Sequence, residues 1–263
     1  MGASRNSQAV AALAFGLGLC VAAGAAGADE PPLPAGFAAA ARQSYAEAQA
    51  AYQRAPTEVT AAWQLARACF DQAEFATNKT ERASLAEQGI AVCQRALAHA
   101  TNSAPLHYYL GMNLGQLART RTLGAFKLVS QMEREFIQAG ELDRQFDHAG
   151  PDRNLGLLYR DAPAFGSIGN RSKAREHLAR AVQLAPRYPE NRLNLVESCL
   201  KWGESREAGR ELAALEAIWP AARTNLTGAA WAASWADWEP RRQRLKDRIK
   251  LPPEAAERPS RQR

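Results

Sequence analysis

The strongest constraint on what this chain can fold into is a 34-residue internal repeat in its C-terminal half. Ala174, Leu178, Ala181, Val182 and Pro186 stand at offsets 0, +4, +7, +8 and +12. Ala208, Leu212, Leu215 and Pro220 follow their counterparts by 34 residues. Between the two sets, Leu195 and Val196 form a large–small pair, Cys199 lies four residues beyond Leu195, and Gly203 marks a turn. Offsets of four, seven and eight place side chains on one face of a helix. The period therefore describes a pair of helices. Small residues let two antiparallel helices approach closely, and large ones fill the gap between successive pairs. Proline ends the second helix and sends the chain into the next pair.

These offsets resemble those of the tetratricopeptide (TPR) repeat superfamily, and the resemblance covers most of residues 40–222. It implies an all-α fold: a TPR-like antiparallel helix-pair solenoid, with irregular N-terminal repeats and a C-terminal capping helix. The earlier repeats are looser. Leu155, Gly156 and Tyr159 predict a first helix, but residues 162–170 insert about six residues before its partner. Leu110, Gly111 and Leu114 predict another first helix, after a second-helix set at Gly89, Cys93, Ala96 and Leu97. Trp63, Ala66 and Phe70 predict an earlier one, separated from its partner by the polar stretch 74–82. Ser44, Ala48, Ala51, Tyr52 and Pro56 read as a lone second helix at the front. Between Arg119 and Gly150 the frame is lost, yet Leu123, Phe126, Val129, Met132 and Phe136 keep helical spacing and predict one long helix. Trp231, Trp235 and Trp238 share one helical face. That face reads as a cap over the exposed end of the last repeat or as an aromatic platform for a ligand, with the cap favoured.

Charge bears on the kind of partner. The formal net charge is +6, but residues 241–263 hold nine Lys/Arg against three Asp/Glu. The basicity thus belongs to a tail, and the neutral body argues against nucleic acid as a partner. The first 28 residues have the layout of a secretory signal: Arg5, an apolar run from Ala9 to Ala23, then Ala26-Gly27-Ala28 before Asp29. Leu19 before Cys20 does not suit a lipidation signal. The expected organisation is a signal peptide over 1–28, a TPR-like helical repeat domain over 29–240, and a basic, partly disordered tail over 241–263. A periplasmic or secreted location follows, with no membrane span in the mature chain. Cys69 and Cys93 fall on the paired helices of one repeat, which leaves a disulfide and two free thiols as open alternatives.

No spaced histidine pair, nucleophile elbow, phosphate loop or dinucleotide fingerprint is present in the sequence. The reading is a binding scaffold rather than an enzyme, with no cofactor and no metal site. In TPR proteins the first helix of each repeat lines the concave groove. The register then places Gln64, Asp71, Tyr108, Met112, Gln116, Arg153, Arg160, Glu197 and Lys201 there, a mixed-charge surface suited to a protein or peptide partner. A second candidate is the segment from Gly150 to Gly169, where Asp152 stands as a helix cap before Arg153 and Asn154. Its Gly-Pro-Asp start, Ala-Pro, glycine loop and following second helix are similar to the T component of tripartite ATP-independent periplasmic transporters, over roughly residues 104–220. That resemblance implies a periplasmic protein which pairs with a substrate-binding protein and holds a small hydrophobic ligand.

Overall fold

The computed structural model describes residues 35–121 and 124–249, and the expected signal peptide, Leu123 and the end of the basic tail lie outside them. Among the described residues there are ten helices and no strand: α1 (Ala35–Arg54), α2 (Val59–Glu74), α3 (Lys79–Leu97), α4 (Ala104–Ala118), α5 (Ala125–Leu142), α6 (Phe146–Asp161), α7 (Arg171–Leu184), α8 (Pro189–Lys201), α9 (Ser205–Asn225) and α10 (Ala229–Ile249). Helices α2/α3, α4/α5, α6/α7 and α8/α9 form four antiparallel pairs stacked in chain order. Helix α1 stands before the first pair as a lone second helix, and α10 closes the last.

Local chemistry sets the helix starts. Asn78 and Asn170 accept from the backbone N–H groups of Glu81 and Lys173, each at 2.9 Å, and so begin α3 and α7. Glu81 reaches back to the Thr77 N–H at 2.8 Å. The linker between α2 and α3 is therefore only residues 75–78, shorter than its polar sequence suggests.

The repeat register fixes the packing. Ala174, Ala181 and Ala208 have no exposed surface, and neither do Leu178, Leu212 and Leu215 beside them. Glycine carries the same role earlier in the stack. A Cβ on Gly111 would lie 2.7 Å from the Phe136 ring, and one on Gly156 would lie 2.6 Å from Leu178 Cγ. The predicted long helix is α5, which buries Val129, Met132 and Phe136 against α4 and leaves Phe126 exposed.

Pro220 does not end its helix as the repeat pattern predicts, and Pro240, outside the pattern, also lies within a helix. Pro220 lies inside α9, which runs on to Asn225 with Trp219 and Ala222 buried on either side of the proline. Pro240 lies inside α10, so the boundary expected at residue 240 falls within a helix. The basic stretch accordingly begins as docked structure. Arg241 is buried and donates to Glu197 at 2.8 Å, to Asp237 at 2.9 Å and to Asn194 Oδ1 at 2.6 Å. Trp231 and Trp238 are buried on the same side of α10, which acts as the cap. Cys69, Cys93 and Cys199 are free, buried thiols, and burial pushes Cys69 up to about 12.

Candidate functional site

The chain departs most from repeat geometry just before the right-handed part of α6. Asp147, His148 and Ala149 are three consecutive non-glycine residues in the left-handed region, at φ 50°, 55° and 64°. Such a backbone costs about 1–2 kcal/mol per residue for L-amino acids. It persists only where surrounding contacts over-determine it.

Here a single buried arginine does most of that. Arg153 donates to the carbonyl oxygens of Asp147 at 3.1 Å and His148 at 3.3 Å, and to the Asp147 carboxylate at 2.6 Å. It also reaches Asn191 Oδ1 and Tyr108 Oη, both at 3.3 Å, and its guanidinium lies 5.4 Å from the Tyr188 ring centroid. Asn191 Nδ2 donates to the His148 carbonyl at 3.0 Å, and Tyr108 Oη donates to Asp147 at 2.6 Å. Gly150 permits the approach, since a Cβ there would meet the Tyr108 ring at 2.7 Å.

The turn forms one wall of a cleft of about 370 Å³. The other walls are the α7–α8 connection (Leu184, Ala185, Pro186, Arg187, Tyr188) and the C-terminal end of α9 (Ala221, Ala222, Asn225, Leu226), with Gln145 and His148 from the turn segment. The cleft thus lies on the edge of the solenoid where second helices end and first helices begin. His148 stacks on Tyr188 at 4.3 Å and 13°, and Trp231 closes behind them. Burial pulls His148 below its ordinary value, against the pull of Asp147, so the imidazole is neutral near pH 7. Exposed Arg187, Ala221 and Asn225 leave the cleft open to solvent. Apolar walls with a few fixed polar groups suit an apolar side chain or small ligand.

The residues expected in the concave groove and in the Gly150–Gly169 segment are divided by the structure. Tyr108, Met112, Arg153 and Asn154 come together, with Asn154 Nδ2 donating to Tyr108 Oη at 3.0 Å and contacting Met112 Sδ at 3.1 Å. All four are buried, so they support the turn from behind. Gln116 is buried too and bonds to Glu74 and Arg82. Asp152 does not cap α6. It lies inside the helix, buried, and accepts from His177 Nδ1 at 2.7 Å and Arg180 at 3.3 Å on the α7 side. Four of the side chains expected to line the groove, Tyr108, Met112, Gln116 and Arg153, are therefore buried.

Arg160, Glu197 and Lys201 are more accessible. Arg160 and Lys201 both hold Asp161, at 2.6 and 2.8 Å. Burial works against ionisation of Glu197, but Arg241 outweighs it and holds the carboxyl below its usual range. Farther along the face, Gln64 is exposed and Asp71 pairs with Arg67 at 3.4 Å.

Sequence reasoning missed Asp147, His148, Tyr188 and Asn191. Asp and His tolerate left-handed backbone, but that tolerance alone marks no site; tertiary contacts with Arg153, Asn191 and Tyr108 hold the turn there.

Among the described residues, no helix is long and apolar enough to cross a membrane, and no three His, Cys, Asp or Glu are grouped to hold a metal.

The fold and the paired stack define a TPR-like helical solenoid. A thermophilic TPR protein of Thermus thermophilus has a similar crystal structure, with a TM-score of 0.55 and 18% identity over 80% of this chain and 89% of that one. At that identity the likeness shows the fold alone. The family model described as regulator of microtubule dynamics protein 1-3 matches residues 36–125, which span α1 to α4. No curated protein matches the chain.

Proposed function

We propose that this chain is an exported TPR-type scaffold that binds a protein partner, and that the partner's apolar group enters the cleft beside His148. The cleft carries the reading: its walls are mostly apolar, its floor is aromatic, and a strained backbone held by Arg153 shapes one side. Burying one Leu- or Phe-sized group there would contribute about 1.5–3 kcal/mol, enough for a binding hot spot. Support for export comes from the N-terminal pattern at residues 1–28. The test is capture of proteins from the periplasmic or secreted fraction by the mature chain and by Ala221→Trp, which fills the cleft from an exposed position. A partner bound by the first and lost at least tenfold by the second supports the reading. Identical capture by both would remove the cleft from it.

A second reading follows the resemblance to the transporter T component, in which the same cleft holds a small hydrophobic ligand. Its apolar walls favour this, while its open rim favours a group that remains attached to a larger partner. Native mass spectrometry of the purified chain distinguishes the two, because a retained small ligand appears as a discrete added mass.

A further inference from the structure

The two edges of the solenoid differ in charge. The connections from each first helix to its own second helix, residues 75–78, 119–124, 162–170 and 202–204, share the edge opposite the cleft. Together with the first four residues of the helix that each one enters, they carry eight Lys/Arg and three Asp/Glu. The connections of the cleft edge, 55–58, 98–103, 143–145, 185–188 and 226–228, counted in the same way, carry three Lys/Arg and four Asp/Glu. On the basic edge the cations also stand outside the carboxylates they hold. The Lys201 side chain is 56% exposed over an Asp161 that is 12% exposed, and Arg171 is 53% exposed over Glu204 at 26%.

The same edge exposes apolar surface. Phe165 is 97% exposed in the connection 162–170, and Phe126, 45% exposed, stands in the first turn of α5. They are two of the three large apolar side chains exposed among the described residues. The Phe165 loop is closed at its root. Gly169 N–H donates to the Pro163 carbonyl at 3.0 Å, Asn170 N–H donates to that of Tyr159 at 2.9 Å, and Ile168 packs on the core. An ordered backbone thus holds the ring out in water.

A groove on a protein would have to receive one projecting ring and also match charge along four successive connections. A lipid surface meets both demands, since it is laterally extended, carries phosphates throughout and yields to an inserted ring. The cations are spread along the edge instead of gathered around Phe165, which is the distribution a planar surface engages.

We propose that this edge docks on an anionic lipid surface, with Phe165 inserted at the boundary between headgroups and acyl chains and the flanking Lys and Arg on lipid phosphates. A single apolar anchor binds weakly, and a basic patch supplies the second signal that stable attachment needs. Each cation brought to such a surface contributes roughly fivefold to partition. Docked in this way, the chain turns its cleft away from the bilayer, and the attachment is independent of what enters the cleft.

Co-sedimentation of the chain from Asp29 onward with sucrose-loaded vesicles tests this, using phosphatidylcholine alone and phosphatidylcholine with about one-third phosphatidylglycerol. Partition onto the anionic vesicles exceeds that onto the neutral ones by about tenfold or more and falls as salt rises. Phe165→Ser lowers it about fivefold or more, and Lys127→Glu combined with Arg206→Glu lowers it about tenfold or more. Both variants keep the wild-type thermal unfolding, because the three side chains are exposed and an acidic residue suits the first turn of a helix. Every variant retains the basic tail, so unchanged partition assigns the binding to residues 241–263 and overturns the proposal. Orientation is read from an environment-sensitive thiol dye, since Cys69, Cys93 and Cys199 are buried and take none. On Phe165→Cys its emission shifts to the blue with anionic vesicles, and on Asn225→Cys beside the cleft it does not. The opposite pattern, or a shift at both positions, overturns the proposal. So does a wild type that binds neither vesicle; if Phe165→Ser then loses a protein that the wild type captures, the edge docks on protein instead.

Discussion

Replacing Glu190 by Gln should remove a pH dependence of stability that the wild type carries. Glu190 is 1% exposed in the first turn of α8. Burial pushes its carboxyl from 4.5 up to about 7, although Arg153 and Arg241 pull in the opposite direction and Asp237 and Asp147 add to the rise. The native state then binds more protons than the unfolded chain between pH 4.5 and 7. Stability is present below that window and is lost as pH rises through it. The displacement corresponds to about 3 kcal/mol. A glutamine keeps the shape and the bond from Tyr188 but cannot ionise. The variant should therefore match the wild type near pH 4.5 and exceed it by about 3 kcal/mol at pH 8.

Urea unfolding followed by tryptophan fluorescence from pH 4.5 to 8.5 measures this. Trp231 and Trp238 report locally, since both rings pack against Tyr188, at 6.2 and 5.4 Å. Parallel curves for the two proteins would refute the reasoning. So would a variant less stable than the wild type at pH 8, which would mean that Arg153 and Arg241 need the ionised carboxylate more than burial disfavours it.

The register makes its own predictions. Ala174→Leu and Ala181→Leu, both at positions with no exposed surface, should each destabilise by about 1–3 kcal/mol through overpacking, and unchanged thermal unfolding in both would contradict it. Asp147→Asn retains a residue type that tolerates left-handed backbone but leaves the Arg153 guanidinium buried without its counter-charge. The expected loss is about 3–5 kcal/mol in chemical unfolding, where a change under 1 kcal/mol would show that the carbonyl bonds alone hold the turn. Cys69, Cys93 and Cys199 should resist a thiol reagent in the folded protein and react fully in denaturant, as counted by intact mass.

Much of the fold is readable from residue type at fixed spacing. Ala174, Leu178 and Ala181 state both that a helix is present and how closely its neighbour lies, because only small side chains allow that approach. Trp231 and Trp238 likewise state that the last helix is covered on one side. Proline is a poorer guide. Pro220 and Pro240 can stand inside helices because burial of Ala222, Arg241 and Leu245 beyond them holds the chain helical. Thr77, Asn78 and Glu81 shorten a linker that composition makes long, since a polar run also contains a helix start.

The site is half legible for a different reason. Periodicity says which face of a helix a residue occupies, and it assigns Tyr108, Met112 and Arg153 to the groove face; in the structure Tyr108 contacts Arg153 and Asn154, and Asn154 contacts Met112. It does not say what lies over that face. What lies over it is the segment between α5 and α6, which interrupts the register and returns as the Asp147–Ala149 turn. A regular repeat would spend no buried arginine there, because two helices would pack directly through small side chains. Arg153 is needed because the interrupting backbone presents carbonyls and a carboxylate toward the interior, where each must find a donor. The same turn leaves His148 facing the space between the α7–α8 connection and α9. In this chain, then, the repeat specifies the scaffold, and the stretch that fails to repeat builds the cleft. A functional residue is more readily found by asking which buried polar group a regular solenoid would have no use for.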